Sequence, residues 1–299
     1  MKTIFHYWCG AIDYSHTKDK YVMYLLISVD SLINIAKVKP KDIYCTVEKQ
    51  LHSSKYFVSL KKTGVNILDA PIYKNYSKQY CYSEVIKSNP DIDFMAQIDC
   101  DTLVTDPDLL SKIERLEGGI NIDWAGGNDG KANNSNSTFD YIYQRDGQKH
   151  PPNTIASILK SKDSDLAKSG CPIRYASFKD FLLDQYNVNL DKLIENSKND
   201  GAPAGFFYVL RPKLLPKDFF KFLRFFNFFF QDDEVGISFA RDYFKLTYGD
   251  RNKFREIKSQ AKELSDLETL KGVVHFPPND DKIKDLLKPR ADKIVKENN

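Results

Sequence analysis

Residues 93–110 read DFMAQIDCDTLVTDPDLL, and this stretch decides the fold. Its first part, 94–98, is a short apolar run of the length and composition of a buried strand. Asp99 and Asp101 follow immediately, and Thr102-Leu103-Val104 forms a second apolar step. A strand that ends at this point would hold the backbone rigid while two carboxylates project from the edge of a sheet.

Short apolar runs alternate with helical patterns on either side of this stretch. The sequence predicts strands at 2–8, 42–47 and 65–68, and helices at 21–35 and 76–88. Because such alternation is typical of βαβ units, we predict an α/β fold with a mostly parallel central sheet and helices on both faces. Ligands of such sheets gather at the carboxyl ends of the strands. The residues expected on that rim are Tyr7, Trp8, Asp69, Asp99 and Asp101.

The second half of the chain is less regular. Residues 128–153 are rich in Asn, Ser, Gly, Asp and Pro and predict a long loop, and 154–195 predict poorly patterned helix. Further strands are predicted at 206–210 and 272–276. The chain ends in a charged stretch that predicts a terminal helix, expected to be frayed, over 282–299.

Composition and charge exclude several classes of protein. Lys and Arg (44) nearly balance Asp and Glu (41), so the net charge of +3 argues against a dedicated nucleic-acid binder. Five widely spaced cysteines without a C-x-x-C pair predict reduced thiols. The N-terminus lacks a signal-peptide pattern, and every apolar run is shorter than the ~18 residues of a membrane span. We therefore expect a soluble cytoplasmic protein.

The tripeptide D-x-D occurs four times, at 91–93, 99–101, 106–108 and 163–165. Only the tripeptide at 99–101 directly follows an apolar strand. Mg²⁺ and Mn²⁺ prefer oxygen ligands and often bind through one or two carboxylates and substrate phosphates. Such a cation would neutralise charge on a departing diphosphate. The alternative is a pair of solvated or capping aspartates at a strand end.

The strand, D-x-D and Leu-Val step of residues 93–110 resemble those of the GT-A fold glycosyltransferases, in the form found in glycogenin- and galactosyltransferase-like members. The resemblance covers most of 1–125 and 200–280. It implies one Rossmann-like GT-A domain over 1–299, with a nucleotide-sugar-binding half at 1–125 and an acceptor half at 126–299. The acceptor half would carry a variable insertion at about 128–198.

The resemblance also implies an activity and its partners. The chain is expected to be a metal-dependent transferase that uses Mn²⁺ or Mg²⁺ held by Asp99 and Asp101. The group that it transfers is expected to be a hexosyl group. Its donor would be a nucleotide-diphosphate sugar, with UDP-sugars most common in the family. Its acceptor would be a glycan, a lipid-linked molecule or a protein.

The acidic cluster within residues 231–241 resembles a feature on the acceptor side of enzymes in this family. The pattern Asp-Glu-Val-x-Ile-Ser-x-Ala aligns Asp233 and Glu234 with the acidic pair that begins the acceptor-side helix. Glu234 would orient or deprotonate the acceptor hydroxyl, which is a poor nucleophile. A slip of the register makes Asp232 the alternative. Acidic residues at a helix start are also explained by capping and by the helix dipole.

The family implies roles for residues near both ends of these matches. His275 ends an apolar strand where family members supply a histidine to the metal or diphosphate. Their terminal signature, His-x-x-Gly-x-x-Lys-Pro-Trp, is incomplete here, and Lys282 is the possible substitute for its lysine. Lys78 corresponds to a basic residue near the diphosphate. Gly205 lies in a small-residue turn that lines the donor sugar.

The nucleotide would lie at the end of the first strand. Tyr7 and Trp8 are expected to contact the base, and Asp69 the base or ribose, since aromatic rings stack on bases. Residues 219–230 hold eight phenylalanines in twelve positions. This run predicts a mostly buried segment, with an apolar acceptor or partner surface as the alternative.

Two other classes of protein remain open at this stage. A sugar nucleotidylyltransferase also places metal-bound carboxylates on an α/β sheet. Those enzymes usually have a Gly-rich loop after the first strand, whereas Cys9-Gly10-Ala-Ile-Asp-Tyr holds a single glycine. A non-catalytic protein with a degenerate transferase fold is the third possibility. It would be favoured if Asp99, Asp101 and His275 failed to converge.

Overall fold

The structure is a computed structural model. The residues that it describes are 1–10, 18–70, 82–122, 178–189, 192, 206–223, 233–263, 265–276 and 281–298.

The described strands number nine and form two sheets. They are β1 (Thr3–Cys9), β2 (Ile43–Glu48), β3 (Asn66–Ala70), β4 (Phe94–Ile98), β5 (Thr102–Val104), β6 (Ile120–Asn121), β7 (Phe207–Leu210), β8 (Lys258–Gln260) and β9 (Val273–His275). All six strands that the sequence predicts are present, with bounds within two residues of the prediction. The short β5, β6 and β8 were not predicted as strands.

Helices of very different lengths connect these strands. They are α1 (Lys18–Asn34), α2 (Lys55–Lys62), α3 (Leu109–Ile113), α4 (Phe178–Tyr186), α5 (Asp233–Phe244), α6 (Arg251–Arg255), α7 (Asp266–Thr269) and α8 (Asp281–Glu297). Residues 82–88 are also helical. Each helix of the described part of the chain is too short or too polar to cross a bilayer.

The main sheet has the strand order β3-β2-β1-β4-β7-β6. Strands β3, β2, β1 and β4 run parallel, and β7 pairs antiparallel with both β4 and β6. The predicted mostly parallel central sheet is therefore confirmed. The chain winds from β1 outward to β3 and then returns to place β4 on the other side of β1. This reversal opens a crevice at the carboxyl ends of β1 and β4, where ligands of open α/β sheets bind.

Helices cover both faces of the main sheet. On one face, Tyr7 of β1 hydrogen-bonds Ser28 of α1. On the other face, His6 packs edge-on against Tyr82 in the helical segment 82–88. Neighbouring residues of a strand point to opposite faces, so these two contacts identify opposite layers.

The apolar core lies between the sheet and a helical layer of α1, α2 and α8. The apolar residues predicted for the first helix, from Val22 to Leu32, are buried in α1. In α8 the buried positions Ile283, Leu287, Ala291 and Ile294 follow the spacing of one helix face. The terminal helix that the sequence predicts is thus packed on the core along this face and is not frayed there.

A second, smaller sheet has the order β5-β9-β8. Strand β5 pairs antiparallel with β9, and β8 pairs parallel with β9. In the first of these ladders Thr102 lies opposite His275. The small sheet therefore brings a strand from the end of the chain beside the residues that directly follow Asp101.

The chain divides into two compact units with discontinuous sequences. The first comprises Met1–Asp123, Ala204–Leu215 and Thr247–Asn299, and contains both sheets. The second comprises Trp124–Pro203 and Pro216–Leu246. The predicted insertion at about 128–198 lies within the second unit. The predicted single domain with halves at 1–125 and 126–299 stays a prediction.

The described part of the second unit contains an aromatic core. Phe222 stacks on Tyr243 with ring centres 5.2 Å apart, and Tyr186 packs edge-on against both rings. Phe219 and Phe222 are fully buried. The prediction that the Phe-rich run is buried is thus confirmed within 219–223, and residues 224–230 lie outside the described residues.

Candidate active site

The turn Asp99-Cys100-Asp101 joins β4 to β5 and is held by several hydrogen bonds. The Asp99 N–H donates to the carbonyl of Phe206 at 2.9 Å, and the Thr102 hydroxyl donates to the carbonyl of Asp99 at 2.8 Å. The Cys100 thiol donates to the carbonyl of Trp8 at 3.2 Å, which ties the turn to the end of β1. The turn is therefore fixed in the crevice at the reversal point of the sheet.

Asp101 and His275 lie side by side on the small sheet. The Phe276 N–H donates to the carbonyl of Asp101 at 3.1 Å, just beyond the pairing of Thr102 with His275. The His275 Nε2 atom lies 3.4 Å from the Asp101 Oδ2 atom. Their side chains are 21% and 13% exposed, so the pair is largely buried but reachable. The structure thus brings together two of the three residues that the sequence predicts as metal ligands.

An aromatic contact orients the imidazole of His275. Its ring stacks on Phe206 with centres 4.7 Å apart and an interplanar angle of 19°. The Lys258 ammonium lies 4.5 Å from the centre of the Phe206 ring. The Nδ1 atom of His275 is buried and has no hydrogen-bond partner among the described residues. A buried polar atom of this kind usually has a hydrogen-bond partner.

The donor atoms of this pair fit a divalent cation that is shared with phosphate. Adjacent ligands of an octahedral ion with bonds of about 2.1 Å lie about 3 Å apart, close to the Asp101–His275 separation. Within the described residues, no group of three or more His, Cys, Asp or Glu side chains is arranged to hold a metal by itself. Mg²⁺ and Mn²⁺ commonly take one or two carboxylates and complete their shell with water and substrate phosphates. A role for the Asp99 carboxylate beside the pair stays a prediction.

Tyr21 is close enough to Asp101 to feel its charge, which the sequence does not predict. It lies near the start of α1 and is half-buried. Burial raises the pKa of its phenol, and the negative charge of the nearby Asp101 raises it further. The Lys20 ammonium lies 5.3 Å from the centre of its ring. In the sequence Tyr21 is simply the first residue of an amphipathic helix, and its place beside the carboxylates depends on how α1 docks against β5.

The ends of β1 and β2 form a second part of the crevice. The indole of Trp8 lies directly against Gly10, where any side chain would collide with the ring. Its Nε1 atom is buried without a hydrogen-bond partner in the described part of the chain. The nearby Glu48 is 7% exposed, and its Oε2 atom accepts a hydrogen bond from Gln50 at 2.6 Å. Trp8 therefore keeps an unused donor at the place predicted for the nucleotide.

Tyr7 and Asp69 lie in environments that the sequence did not predict. Tyr7 is fully buried in the core, and its hydroxyl bonds Ser28 at 3.0 Å, which argues against contact with a nucleotide. Strand alternation explains the difference from Trp8, which points to the opposite face. Asp69 is exposed in β3, with the Lys49 ammonium 3.6 Å away. Its contact with a base or ribose stays a prediction.

The remaining predicted residues are placed less fully. Asp233 and Glu234 begin α5 in the second unit, and their side chains are outside the described part of the structure. Lys282 is exposed in the first turn of α8, and its role stays a prediction. The predicted residues that lie outside the described residues are Lys78, Gly205 and Asp232.

Comparisons with known proteins find similarity in structure. No protein-family model matches the sequence, and no curated protein sequence matches it. The galactosyltransferase LgtC, solved with donor and acceptor sugar analogs, is 10% identical, with 98% of this chain and 95% of that chain covered and a TM-score of 0.45. The bifunctional glycosyltransferase WbbM is 12% identical, with 91% and 45% covered and a TM-score of 0.48. Mouse xyloside xylosyltransferase 1 is 8% identical, with 88% and 89% covered and a TM-score of 0.45.

These similarities concern the fold alone, and no residue's role is transferred from them. The chain has a central, mostly parallel sheet flanked by helices, and solved glycosyltransferases are similar to it in structure.

Proposed function

We propose that this chain is a metal-dependent glycosyltransferase. It would transfer a sugar from a nucleotide-diphosphate sugar to a hydroxyl group of a glycan, a lipid-linked molecule or a protein. The sugar proposed is a hexose. UDP-sugars are the first donors to test. The observation that carries the proposal is the 3.4 Å approach of His275 Nε2 to Asp101 Oδ2 in the crevice at the reversal of the sheet.

The position of the pair suits a diphosphate. A crevice beyond the carboxyl ends of parallel strands binds ligands generally, and here its floor carries carboxylate and imidazole donors. Asp101 and His275, with Asp99, would hold Mn²⁺ or Mg²⁺. When bound, this cation supplies Lewis-acid stabilisation of the charge that develops on the leaving diphosphate. The hydrogen bonds around the turn hold the ligands in place before the donor arrives.

Aromatic residues beside the pair suit the rest of the donor. Among the described residues the indole N–H of Trp8 at the end of β1 has no partner, and the pKa of the Tyr21 phenol is raised by the charge of Asp101 in addition to burial. Contact of a base with an aromatic face contributes about 1–3 kcal/mol. We therefore assign the nucleoside to the region of these two rings, and we leave Tyr7 out because its ring is fully buried.

The acceptor side of the proposal rests on the sequence. Glu234, with Asp233 before it, stands in the first turn of α5. A carboxylate placed near an acceptor hydroxyl would orient it or remove its proton, which is typically worth about 10²–10⁴-fold in rate. Lys78, Gly205 and Asp69 keep their predicted donor contacts as part of the same proposal.

Cysteine chemistry supports a reducing compartment, so we propose that the enzyme acts in the cytoplasm. Cys9, Cys45 and Cys100 are buried and free. Burial raises the pKa of the Cys45 thiol, and a hydrogen bond to Cys9 together with burial raises that of Cys100. Disulfides are rare in proteins of reducing compartments, which is consistent with these three free thiols.

The test uses purified protein with Mn²⁺ and a panel of UDP-, GDP- and ADP-sugars. We expect metal-dependent binding of one donor class and its slow hydrolysis without acceptor. Asp101→Asn should abolish both, whereas Asp108→Asn is the matched control, because it changes an exposed aspartate in a neighbouring D-x-D. Absence of binding to every donor, with and without metal, would overturn the proposal. Turnover of a nucleoside triphosphate with a sugar 1-phosphate would assign a nucleotidylyltransferase instead.

A further inference from the structure

A chain of three buried hydroxyl groups ends at the metal-binding turn. The Tyr7 hydroxyl lies 3.0 Å from the Ser28 hydroxyl, and the Ser28 hydroxyl lies 2.9 Å from that of Thr102. The Thr102 hydroxyl bonds the carbonyl of Asp99 at 2.8 Å. Tyr7, Ser28 and Thr102 are each 0% exposed. This row of hydroxyl groups thus runs from Tyr7 of β1, through Ser28 of α1, to the first residue of the Asp99-Cys100-Asp101 turn.

The direction of every hydrogen bond in this chain is fixed. A carbonyl can only accept, so Thr102 must donate its single hydroxyl hydrogen to Asp99. Ser28 must then donate to Thr102, and Tyr7 must donate to Ser28. Burial raises the pKa of Tyr7 far above its ordinary value, so its phenol stays protonated and remains a donor. The three hydroxyls therefore form one ordered row of donors that ends on Asp99.

A second serine fastens the same helix to β5. The Ser31 hydroxyl donates to the carbonyl of Ser28 at 2.7 Å and accepts from the Val104 N–H at 3.0 Å. Tyr21 lies seven residues before Ser28, which is two helical turns, so it lies on the same face of α1. One face of α1 therefore contacts Thr102 through Ser28 and Val104 through Ser31, and both of these partners belong to β5.

We propose that Tyr7, Ser28 and Thr102 are positioning residues for the metal-binding turn. This inference rests on the proposed function. Their role would be to hold the carbonyl of Asp99, and with it the Asp99–Cys100 peptide that links the two aspartates. Partners just outside a ligand set commonly account for about 10–100-fold in metal affinity, because they orient the ligands.

The arrangement predicts a graded effect along the row. Thr102→Val keeps the volume but removes the donor to Asp99, so it should weaken binding of Mn²⁺ in the presence of UDP by about tenfold. Ser28→Ala should have a smaller effect, because Thr102 can still donate. Tyr7→Phe should have the smallest effect, because the hydroxyl groups of Ser28 and Thr102 separate Tyr7 from the carbonyl of Asp99. Thr102→Ser keeps the hydroxyl and should bind Mn²⁺ as the wild type does.

Matched controls separate positioning from stability. Tyr56→Phe removes a tyrosine hydroxyl that donates to Asp292, and Thr63→Val removes a threonine hydroxyl that donates to Leu60, both outside the site. These variants should lower the Tm without changing the Kd for Mn²⁺. The measurements are Mn²⁺ titrations in the presence of UDP and thermal unfolding of each variant.

The outcomes distinguish the two proposals. If the wild type binds no Mn²⁺ with UDP, the proposed function fails and the positioning role fails with it. If the wild type binds Mn²⁺ and Thr102→Val binds it equally well, only the positioning role is overturned. The same holds if Thr102→Ser is as weak as Thr102→Val. Should Thr102→Val fail to fold, unchanged Mn²⁺ affinity in Ser28→Ala and Tyr7→Phe would overturn the role.

Discussion

His275 lies beside Asp101 because β9, near the end of the chain, pairs with the strand that follows the D-x-D turn. The 3.4 Å between Nε2 and Oδ2 exceeds the usual hydrogen-bond length of about 2.7–3.2 Å, so neither atom is committed to the other. This spacing is compatible with the proposal that both atoms bind one metal ion. Stacking on Phe206 limits how far the imidazole can turn away.

Replacing His275 by Ala should weaken Mn²⁺ binding in the presence of UDP by at least about tenfold. Loss of a partner outside the ligands already costs about 10–100-fold, and His275 is proposed as a ligand itself. Isothermal titration measures the change. The control is His52→Ala, which removes another histidine stacked on an aromatic ring, at 4.1 Å from Phe57. Equal Kd values for His275→Ala and the wild type would remove His275 from the site.

Replacing Glu234 by Gln should lower the turnover number by about 10²–10⁴-fold, because an amide cannot accept the acceptor's proton. Binding of Mn²⁺ and UDP should not change, since the residue is assigned to the acceptor. Steady-state kinetics with the donor found in the panel measure kcat and KM separately. Asp233→Asn and Asp232→Asn serve as register controls, and a large loss in one of them alone would shift the role to that residue.

Asp106 makes the stability of the first unit depend on pH in a defined direction. Burial opposes ionisation of this carboxyl, but hydrogen bonds from the Lys112 ammonium and the Asp108 N–H outweigh it and hold the pKa below its ordinary value. Because the pKa is lower in the folded protein, ionised Asp106 stabilises the fold at pH values above the pKa of an unfolded Asp, about 3.9. This stabilisation is lost as the pH falls through the pKa of Asp106 in the folded protein.

Asp106→Asn should therefore lower the free energy of unfolding at pH 7 by about 1–3 kcal/mol. The difference from the wild type should shrink below about pH 4, because the wild type then loses its own charge. Urea unfolding at pH 7, 5 and 3 measures it. A difference that is constant over this range would show that the charge of Asp106 is not the cause.

A further prediction concerns the buried polar side chains under the helical segment 82–88. His6 bonds Gln97 at 2.9 Å and Thr46 at 2.7 Å, with all three side chains buried. His6→Leu should lower the free energy of unfolding by about 1–3 kcal/mol for each partner left without a bond. The triple variant with Thr46→Val and Gln97→Leu should be more stable than His6→Leu alone, because it removes both side chains that would otherwise lose their bond to His6. Urea unfolding decides, and equal stability of the two variants would contradict the explanation.

The sequence identifies which of its four D-x-D tripeptides lies in the crevice, and the structure gives a physical reason. Asp91 and Asp93 are exposed or partly exposed and pair with Lys2 and Lys213, and Asp106 pairs with Lys112 next to a helix start. The tripeptide at 163–165 lies outside the described residues. The apolar strand before Asp99 is a local signal, so periodicity alone could detect it.

Residues whose roles depend on tertiary packing could not be predicted in the same way. Tyr7 and Trp8 are adjacent, aromatic and at a strand end, and only the docking of α1 decides which of the two faces the core. Tyr21 gains its place beside Asp101 from the same docking. The small sheet depends on pairing between segments far apart in the chain, and short strands such as β5 and β8 have too little pattern to reveal their partners.

The small sheet also determines when the site can exist during synthesis. Translation proceeds from the N-terminus, and N-terminal parts of a protein generally fold first. The ribosome makes both aspartates of the turn before His275, which follows only after a long intervening stretch of sequence. A nascent or truncated chain without β9 would thus carry the carboxylates but lack the imidazole. If the proposed ion is bound by both residues, its binding would require that β9 has left the ribosome and paired with β5.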